Sequence, residues 1–253
     1  MTEQSGTEPL GAGPLGAGPL SPQDAGKQAA ADAAAAMIES GMLVGLGSGT
    51  TLRRFVKSLG LRCRAGLAIT GVPTSESTRA LAVEVGVPVA DLNDVGTLDM
   101  VFDGADEIDP RGRMIKGGGG NLLWEKIVAT AGRRFIAVID DSKTKDMLGQ
   151  FPLPVEVVRF GWRATERLMR GLLVESGYLE PVISLRGGPD SPFVTDSGHY
   201  ILDCALGEIP HPEALASALN RIPGVVENGL FIDIARAAII GDPDGTVRRI
   251  AYD

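Results

Sequence analysis

Four carboxylates crowd a seven-residue segment near the middle of the chain: Asp103, Asp106, Glu107 and Asp109. Like charges this close repel one another, so we expect a ligand or a cation to bind there and offset the repulsion. A metal ion is one answer, although no histidine or cysteine stands nearby, and Gly104 indicates close approach of a ligand. Sugar hydroxyls are another, because ionised carboxylates accept their hydrogen bonds strongly. A solvated acidic turn is the alternative without a ligand.

A lysine and four successive glycines follow, at Lys116 and residues 117–120. Ordering four glycines loses much backbone entropy, so a plain linker explains them poorly inside a folded unit. Their backbone can lie against a ligand, beside the cation of Lys116. Asn121 can cap the helix that follows, which puts Glu125 in its first turn. Glu125 could act there as a general base, or it could only complement the helix dipole.

A second glycine-rich turn, Gly47-Ser48-Gly49-Thr50-Thr51, leads from an apolar segment into an amphipathic one. Free backbone N–H groups at the start of a helix favour a phosphate, and the three hydroxyls add donors. The turn is neither a GxGxxG fingerprint nor a Walker loop, which disfavours a dinucleotide or a nucleoside triphosphate. A tight turn without a ligand remains an equal alternative.

A fourth polar loop, Asp140-Asp141-Ser142-Lys143, follows another apolar segment. Lys143 could pair with Asp103 or Asp106, or contact a phosphate. Taken alone, it is only a surface lysine.

These loops fall after short apolar segments that alternate with helical ones. We predict strands at 42–46, 67–70, 87–89, 99–102 and 135–139. We predict helices from Ser21-Pro22 to residue 40, from the glycine turn to 59, from about 78 to 85, and at 122–131. This alternation predicts an α/β fold, with a parallel sheet covered on both faces. Ligands bind such sheets at the carboxyl ends of the strands, where the polar loops lie.

The pattern changes after Gly149. Strands are predicted at 154–160, 181–185, 193–195, 199–204 and 225–232, with helices at 163–176 and 212–221. Asp196-Ser197-Gly198 predicts a hairpin turn, and the order is close to a split βαβ, ferredoxin-like arrangement. Residues 237–252 predict a strand pair that returns to the first unit.

Composition narrows the function classes. A net charge of −8 argues against nucleic-acid or membrane binding, because both need a clustered basic surface. Cys63 and Cys204 suit neither a disulfide framework nor a zinc site, so a reducing cytoplasm is expected. His199 and His211 are isolated, and we interpret both as surface or structural residues. No apolar run is long enough to span a bilayer, and no signal peptide is expected.

The N-terminal segment repeats Pro-Leu-Gly-Ala-Gly at residues 9–13 and 14–18. Glycine- and proline-rich sequence of this kind cannot build a core. We therefore expect residues 1–21 to be a disordered tail.

Together the polar loops resemble the ribose-5-phosphate isomerase A family, in order and over nearly the whole chain beyond the tail. The matching motifs are Val44-Gly45-Leu46-Gly47-Ser48-Gly49-Thr50-Thr51, Pro73-Thr74-Ser75-Glu76-Ser77-Thr78, Asp103-Gly104-Ala105-Asp106-Glu107-Ile108, Ile115-Lys116-Gly117-Gly118-Gly119, Phe151-Pro152-Leu153-Pro154-Val155-Glu156-Val157, Val194-Thr195-Asp196 and Ile222-Pro223-Gly224-Val225-Val226.

The resemblance implies a Rossmann-like catalytic domain at 22–150 and 229–253, with an inserted ferredoxin-like α+β domain at 151–228. It implies reversible conversion of D-ribose 5-phosphate to D-ribulose 5-phosphate in the pentose phosphate pathway, through an enediolate and without a metal or organic cofactor. It also implies a homodimer or homotetramer.

The resemblance assigns roles to individual residues. It implies that Glu125 is the base, with Asp103, Asp106 and Lys116 also catalytic. The implied substrate contacts are Ser48, Gly49, Thr50, Thr51, Asp103, Gly104, Ala105, Asp106, Lys116, Gly117, Gly118, Gly119 and Lys143.

Two other classes of protein are alternatives to an isomerase. Sugar-phosphate-sensing domains of some bacterial repressors are similar in fold, but they follow a DNA-binding helix-turn-helix, which this sequence does not show. A CoA transferase with a glutamate nucleophile would use the same kind of sheet, and it would form a covalent thioester.

Overall fold

A six-stranded sheet forms the larger part of the fold. In a computed structural model of the chain, which describes residues 20–252, its order is β13-β12-β6-β3-β1-β2. The strands are β1 (Leu43–Leu46), β2 (Thr70–Pro73), β3 (Met100–Asp103), β6 (Phe135–Asp140), β12 (Ala235–Gly241) and β13 (Val247–Ala251). All neighbours are parallel except β12 and β13, which form an antiparallel pair at one edge.

Helices cover both faces of this sheet. One face buries α1 (Pro22–Ala35), α2 (Thr50–Arg64) and α3 (Glu76–Val85) in a single apolar cluster. The other face buries α4 (Leu122–Thr130) through Val128 and Ala129. Helix α1 begins at the predicted Ser21-Pro22 signal, where the Ser21 side chain accepts a hydrogen bond from the Asp24 amide.

A three-stranded sheet of two-residue strands lies beside α4. It consists of β4 (Glu107–Ile108), β5 (Met114–Ile115) and β11 (Leu230–Phe231), in the order β11-β5-β4. Strand β5 leads directly into Lys116 and the glycine run.

The segment after Gly149 forms its own antiparallel sheet, in the order β10-β7-β9-β8. Its elements are β7 (Leu153–Val157), α5 (Trp162–Glu175), β8 (Val182–Leu185), β9 (Tyr200–Ala205), α6 (Pro212–Leu219) and β10 (Val225–Asn228). Met169 and Leu173 of α5 and Leu215 and Leu219 of α6 join one apolar cluster with this sheet. The order is ferredoxin-like, and the predicted fold class is confirmed. The exact domain boundaries stay a prediction.

Several predicted elements are shifted or wrong. The strand expected at 67–70 lies at Thr70–Pro73, and the helix expected to reach residue 40 ends at Ala35, whereas α2 runs on to Arg64. The segment 87–89 forms only an isolated bridge from Val89 to Gly71. Pro88 lacks the N–H that a paired strand needs.

Two predictions in the inserted unit also differ. Residues 193–195 are not a strand, and the hairpin partner of β9 is β8. The single strand expected at 225–232 divides between two sheets at Gly229. A Cβ atom on Gly229 would stand 2.3 Å from the Lys116 carbonyl oxygen, so only glycine fits where the chain changes sheets.

Most of the predicted tail lies outside the described residues; only residues 20 and 21 of it are described. Between residues 20 and 252, no helix is long and apolar enough to cross a membrane.

Candidate active site

The polar loops meet at the carboxyl ends of neighbouring strands. β1, β3 and β6 lie side by side, so the loops after Leu46, Asp103 and Asp140 converge, and the glycine run faces them. They enclose a cavity of about 290 Å³, room enough for a small phosphorylated sugar. Its lining consists of Ser48, Gly49, Thr50, Thr51, Leu52, Gly104, Ala105, Asp106, Lys116, Gly117, Gly118, Gly119, Glu125, Val138, Ile139, Asp140 and Lys143.

Asp103 lies just behind this lining and is fully buried. Its Oδ1 atom accepts hydrogen bonds from the amides of Ser48, at 3.0 Å, and Gly104, at 2.7 Å. A Cβ atom on Gly47 would stand 2.2 Å from the same oxygen, so the glycine turn and the aspartate fit only together. Burial raises the pKa of Asp103, while the ammonium of Lys116 and the two amides oppose that rise.

Lys116 is the cation at the centre of the site. Its Nζ atom donates to the Gly104 carbonyl oxygen at 2.7 Å, and it lies 3.1 Å from Asp103 Oδ2 and 3.3 Å from Glu125 Oε1. The side chain is 3% exposed. Burial favours the neutral amine, but the carboxylates of Asp103, Glu125 and Asp106 outweigh it and raise the pKa of Lys116. The lysine is therefore charged at neutral pH.

Glu125 stands in the first turn of α4 and faces the cavity. It is 5% exposed, and its Oε2 atom has no hydrogen-bond partner among the described residues. Burial, with the negative charge of Asp103, raises the pKa of Glu125 to about 8, although Lys116 opposes the shift. This is a carboxylate with one free oxygen and the proton affinity of a base that works near neutral pH.

Asp106 holds the glycine run from one side, since its Oδ2 atom accepts a hydrogen bond from the Gly118 amide at 2.7 Å. Asn121 occupies the position before α4, as predicted, but its side chain does not cap the helix. The Asn121 amide group points back instead, to the Gly119 carbonyl oxygen at 3.4 Å.

The first turn of α2 forms the opposite wall. Gly49 precedes the helix with φ of +98°, and the first turn has neither a side-chain cap nor an acidic residue. Its backbone N–H groups are thus open to an anion. The Ser48 hydroxyl does not join them, because it bonds to Thr74, Ser75 and Thr78 at 2.9–3.2 Å.

Lys143 ends a short 3-10 helix, Asp141–Lys143, and lines the cavity. Within residues 20–252 it has no ion pair within 4.0 Å, so the structure does not bring it into contact with Asp103 or Asp106. Its ammonium is available to a ligand.

Both histidines lie apart from the cavity lining. His199 contacts the buried carboxylate of Glu156 at 2.9 Å, and His211 precedes α6. In residues 20–252 no three histidine, cysteine, aspartate or glutamate side chains cluster as a metal site would require.

The loops brought together all of the predicted residues, with Asp103 behind the wall and the others on it. Sequence reasoning did not single out Leu52, Val138, Ile139 or Asp140 as lining residues. Asp140 carried a signal, because it ends a strand beside Lys143. The three apolar residues carried none, since core residues of a helix or strand look the same.

Residues 70–245 match the family model for ribose 5-phosphate isomerase A (phosphoriboisomerase A). The chain is similar to ribose-5-phosphate isomerase A of Parvibaculum lavamentivorans, with 50% identity over 209 residues that cover 83% of this chain and 90% of that protein. It is 50% identical to the Agrobacterium fabrum protein of the same name, over 82% of this chain and 90% of that one.

Solved structures of similar sequence also have a similar fold. The fold matches a D-ribose-5-phosphate isomerase in complex with phospho-erythronic acid, with a TM-score of 0.83, 38% identity and coverage of 90% and 99% of the two chains. It also matches ribose 5-phosphate isomerase A from Methanocaldococcus jannaschii, with a TM-score of 0.82, 35% identity and coverage of 91% and 100%.

Proposed function

Because the chain belongs to the ribose 5-phosphate isomerase A family and is an isomerase, we propose that it interconverts D-ribose 5-phosphate and D-ribulose 5-phosphate by general-base proton transfer. The proposal rests on the setting of Glu125. Glu125 lines the cavity, its Oε2 atom has no hydrogen-bond partner among the described residues, its pKa is raised to about 8, and Lys116 lies beside it.

The proposed proton transfer takes place within one substrate molecule and needs no second reactant. In the open-chain aldose, Glu125 removes the proton from C2, and the electrons of that C–H bond form the C1–C2 double bond of an enediolate. One proton moves between O2 and O1. The protonated Glu125 then returns its proton to C1, which leaves a carbonyl at C2 and an alcohol at C1.

The enediolate is an anion, and a base alone cannot stabilise it. General-base catalysis contributes roughly 10²–10⁴-fold, whereas each oriented donor to an oxyanion is worth about 3–4 kcal/mol. Lys116 and the amides of the glycine run supply such donors. Asp103 and Asp106 complete this group, Asp103 by its charge beside Lys116 and Asp106 by accepting substrate hydroxyls.

The substrate phosphate would bind at the open first turn of α2, with Thr50, Thr51 and Lys143 around it. The first turn of α2, which forms this end of the cavity, contains no carboxylate. Phospho-erythronic acid carries a phosphate and a carboxylate in place of the reacting carbons, so we expect it to bind this cavity in the same orientation.

The test is ketose formation from D-ribose 5-phosphate by the purified protein in excess EDTA, with Glu125→Gln beside it. We expect turnover in the wild type and loss of kcat by at least about 10³-fold in the variant, with substrate binding nearly intact. Wild-type kcat in Glu125→Gln would disprove the assignment of the base.

Glu213→Gln is the matched control, because Glu213 occupies the first turn of α6 as Glu125 does in α4. It loses the same favourable interaction with a helix dipole but lies elsewhere. If both variants lost activity equally, the dipole interpretation of Glu125 would replace the base.

The remaining proposals concern context. We place the reaction in the pentose phosphate pathway and the cytoplasm, the latter because both cysteines are unpaired and Cys204 is buried. We also propose a homodimer or homotetramer of the 26.4 kDa chain. Light scattering during gel filtration tests it, and a monomeric mass at micromolar concentration would contradict it.

A further inference from the structure

Arg186 connects the inserted ferredoxin-like unit to the glycine run of the cavity. It follows Leu185, the last residue of β8, and its Nη1 atom donates to the carbonyl oxygens of Gly117, at 2.8 Å, and Gly118, at 3.2 Å. We propose that Arg186 is a positioning residue for the isomerase reaction, because it turns the amides of the glycine run toward the substrate. This inference rests on the function proposed above.

The geometry of the peptide bond supports the inference. In a trans peptide the C=O and N–H groups point in opposite directions, and none of the peptide bonds described here is cis. A Gly117 carbonyl held by Arg186 therefore sends the Gly118 N–H to the opposite side, where Asp106 accepts it at 2.7 Å. The Gly118 carbonyl, held by the same guanidinium, sends the Gly119 N–H to that side as well.

That side is the cavity, since Asp106, Gly118 and Gly119 all line it. Gly118 and Gly119 are also exposed. Within residues 20–252 the Gly119 N–H has no hydrogen-bond partner. It is thus free to donate to an oxygen of the substrate or of the enediolate.

Arg186 is itself held in place. The carboxylate of Asp203 on β9 takes a forked pair of hydrogen bonds from Nε, at 2.9 Å, and from Nη2. The Arg186 side chain is 17% exposed, and its guanidinium lies 5.9 Å from the centre of the Phe193 ring. Phe193 in turn packs against Gly120, where a Cβ atom would stand 2.4 Å from the ring.

Two other hydrogen bonds restrain the run, from the Gly118 amide to Asp106 and from the Gly120 amide to the Gly117 carbonyl oxygen at 3.0 Å. Neither holds the Gly118 carbonyl, and glycines sample many backbone conformations where a restraint is lost. Only arginine can engage a carboxylate with two donors while a third bonds to backbone carbonyls, since its donors form a planar fork. The inserted unit thereby contributes to the site without touching the substrate.

Arg186→Met removes the anchor, and Arg170→Met is the matched control. Arg170 lies on α5 of the same unit and makes the same kinds of contact, to the Pro181 carbonyl oxygen at 2.7 Å and to Glu166 at 2.6 Å, but it does not reach the cavity. Arg186→Lys keeps the charge without the fork and serves as the test if the methionine variant does not fold.

We expect Arg186→Met to lower kcat roughly 10–100-fold, because displaced donors stabilise the enediolate less. The KM should change less than about threefold, since the phosphate contacts remain. Arg186→Lys should fall between, and Arg170→Met should equal the wild type. A defect of folding alone would lower the active fraction and the melting temperature, so both are measured for every variant.

A binding measurement separates positioning from general damage. We expect Arg186→Met to weaken phospho-erythronate binding about tenfold and inorganic phosphate binding less than about twofold, because only the former has a carboxylate near the glycine run. Equal kcat and equal phospho-erythronate affinity in Arg186→Met and Arg170→Met would overturn the inference. A wild type that does not isomerise ribose 5-phosphate would instead overturn the proposed function, and this inference with it.

Discussion

Glu125 occupies a setting that disfavours its own charge. Burial and the nearby Asp103 raise its pKa to about 8, whereas Lys116, 3.3 Å away, favours ionisation. The same lysine keeps its charge because three carboxylates face it. The cluster thus holds a carboxylate that can both take and return a proton near neutral pH, which an exposed glutamate with its lower pKa does poorly.

This arrangement predicts the pH dependence of the reaction. Glu125, the proposed base, must be ionised to act, and its pKa is raised to about 8. As the pH falls below that value, the ionised fraction and hence kcat/KM should fall about tenfold per unit. Asp103→Asn removes a negative charge that raises the pKa of Glu125, so the acid limb of its profile should move to lower pH, whatever its maximal rate.

Asp109→Asn is the control for that profile. Asp109 is an equally buried carboxylate of the acidic run, but it pairs with Arg113 at 2.6 Å and is not among the charges that shift the pKa of Glu125. Its acid limb should coincide with that of the wild type. An acid limb that stays in place in Asp103→Asn would refute the electrostatic account of Glu125.

At the scale of the element, the start of α2 is prepared for an anion. Thr50 is exposed in a first turn that has no acidic residue and follows a glycine instead of a capping side chain. Thr50→Glu would place a negative charge where we propose the phosphate binds. We expect KM for ribose 5-phosphate and the inhibition constant of inorganic phosphate to rise at least about tenfold, with kcat much less affected.

Helix α5 offers the matched control. It also follows a glycine, lacks a side-chain cap and has no acidic residue in its first turn, where Ala164 is exposed. Ala164→Glu should leave KM unchanged and stabilise the protein by about 0.3–1 kcal/mol through the helix dipole. Equal KM values in Thr50→Glu and the wild type would move the phosphate to another part of the cavity.

Elements differ in how far the sequence reveals them. The strands β1, β3 and β6 are apolar runs that end in polar loops, and each was predicted within a residue or two. The two-residue strands β4, β5 and β11 are too short to show a period. The acidic run around Glu107 therefore indicated a site but not a strand.

Some features of the site could likewise be predicted from the sequence, and others could not. The placement of Glu125 and Lys116 at the cavity was predictable, because their neighbours, a helix start and four glycines, restrict where they lie. The anchoring of the glycines by Arg186 was not, since residues 69 positions apart come together only through packing of the inserted unit on the cavity. No local pattern distinguishes Arg186 from other arginines of that unit.

At the scale of the whole molecule, one buried carboxylate joins the two units. Glu107 belongs to β4, and its oxygens accept hydrogen bonds from the amides of Gly149, at 2.7 Å, and Phe151, at 2.6 Å, where the chain enters the inserted unit. Glu107 is 2% exposed. The apolar cluster of the inserted unit continues across this junction to Ile115 and Leu230 of the small sheet. These contacts predict that both units unfold together.

Trp162, on α5, reports on the inserted unit. Trp124, on α4, also contacts that unit, because its indole N–H donates to Ser197 Oγ at 2.8 Å, so far-UV circular dichroism serves as the probe of the whole fold. Glu107→Ala leaves two amides without their acceptor, so we expect a loss of about 3 kcal/mol in the free energy of unfolding. In a Trp124→Phe background, Trp162 fluorescence and circular dichroism in urea should give coincident transitions when Glu107 is present, and the Trp162 transition should come earlier in Glu107→Ala. Glu84→Ala, an exposed change on α3, should shift neither probe. Coincident transitions in Glu107→Ala would show that the other contacts between the units, such as that of Arg186 with the glycine run, are enough to couple them.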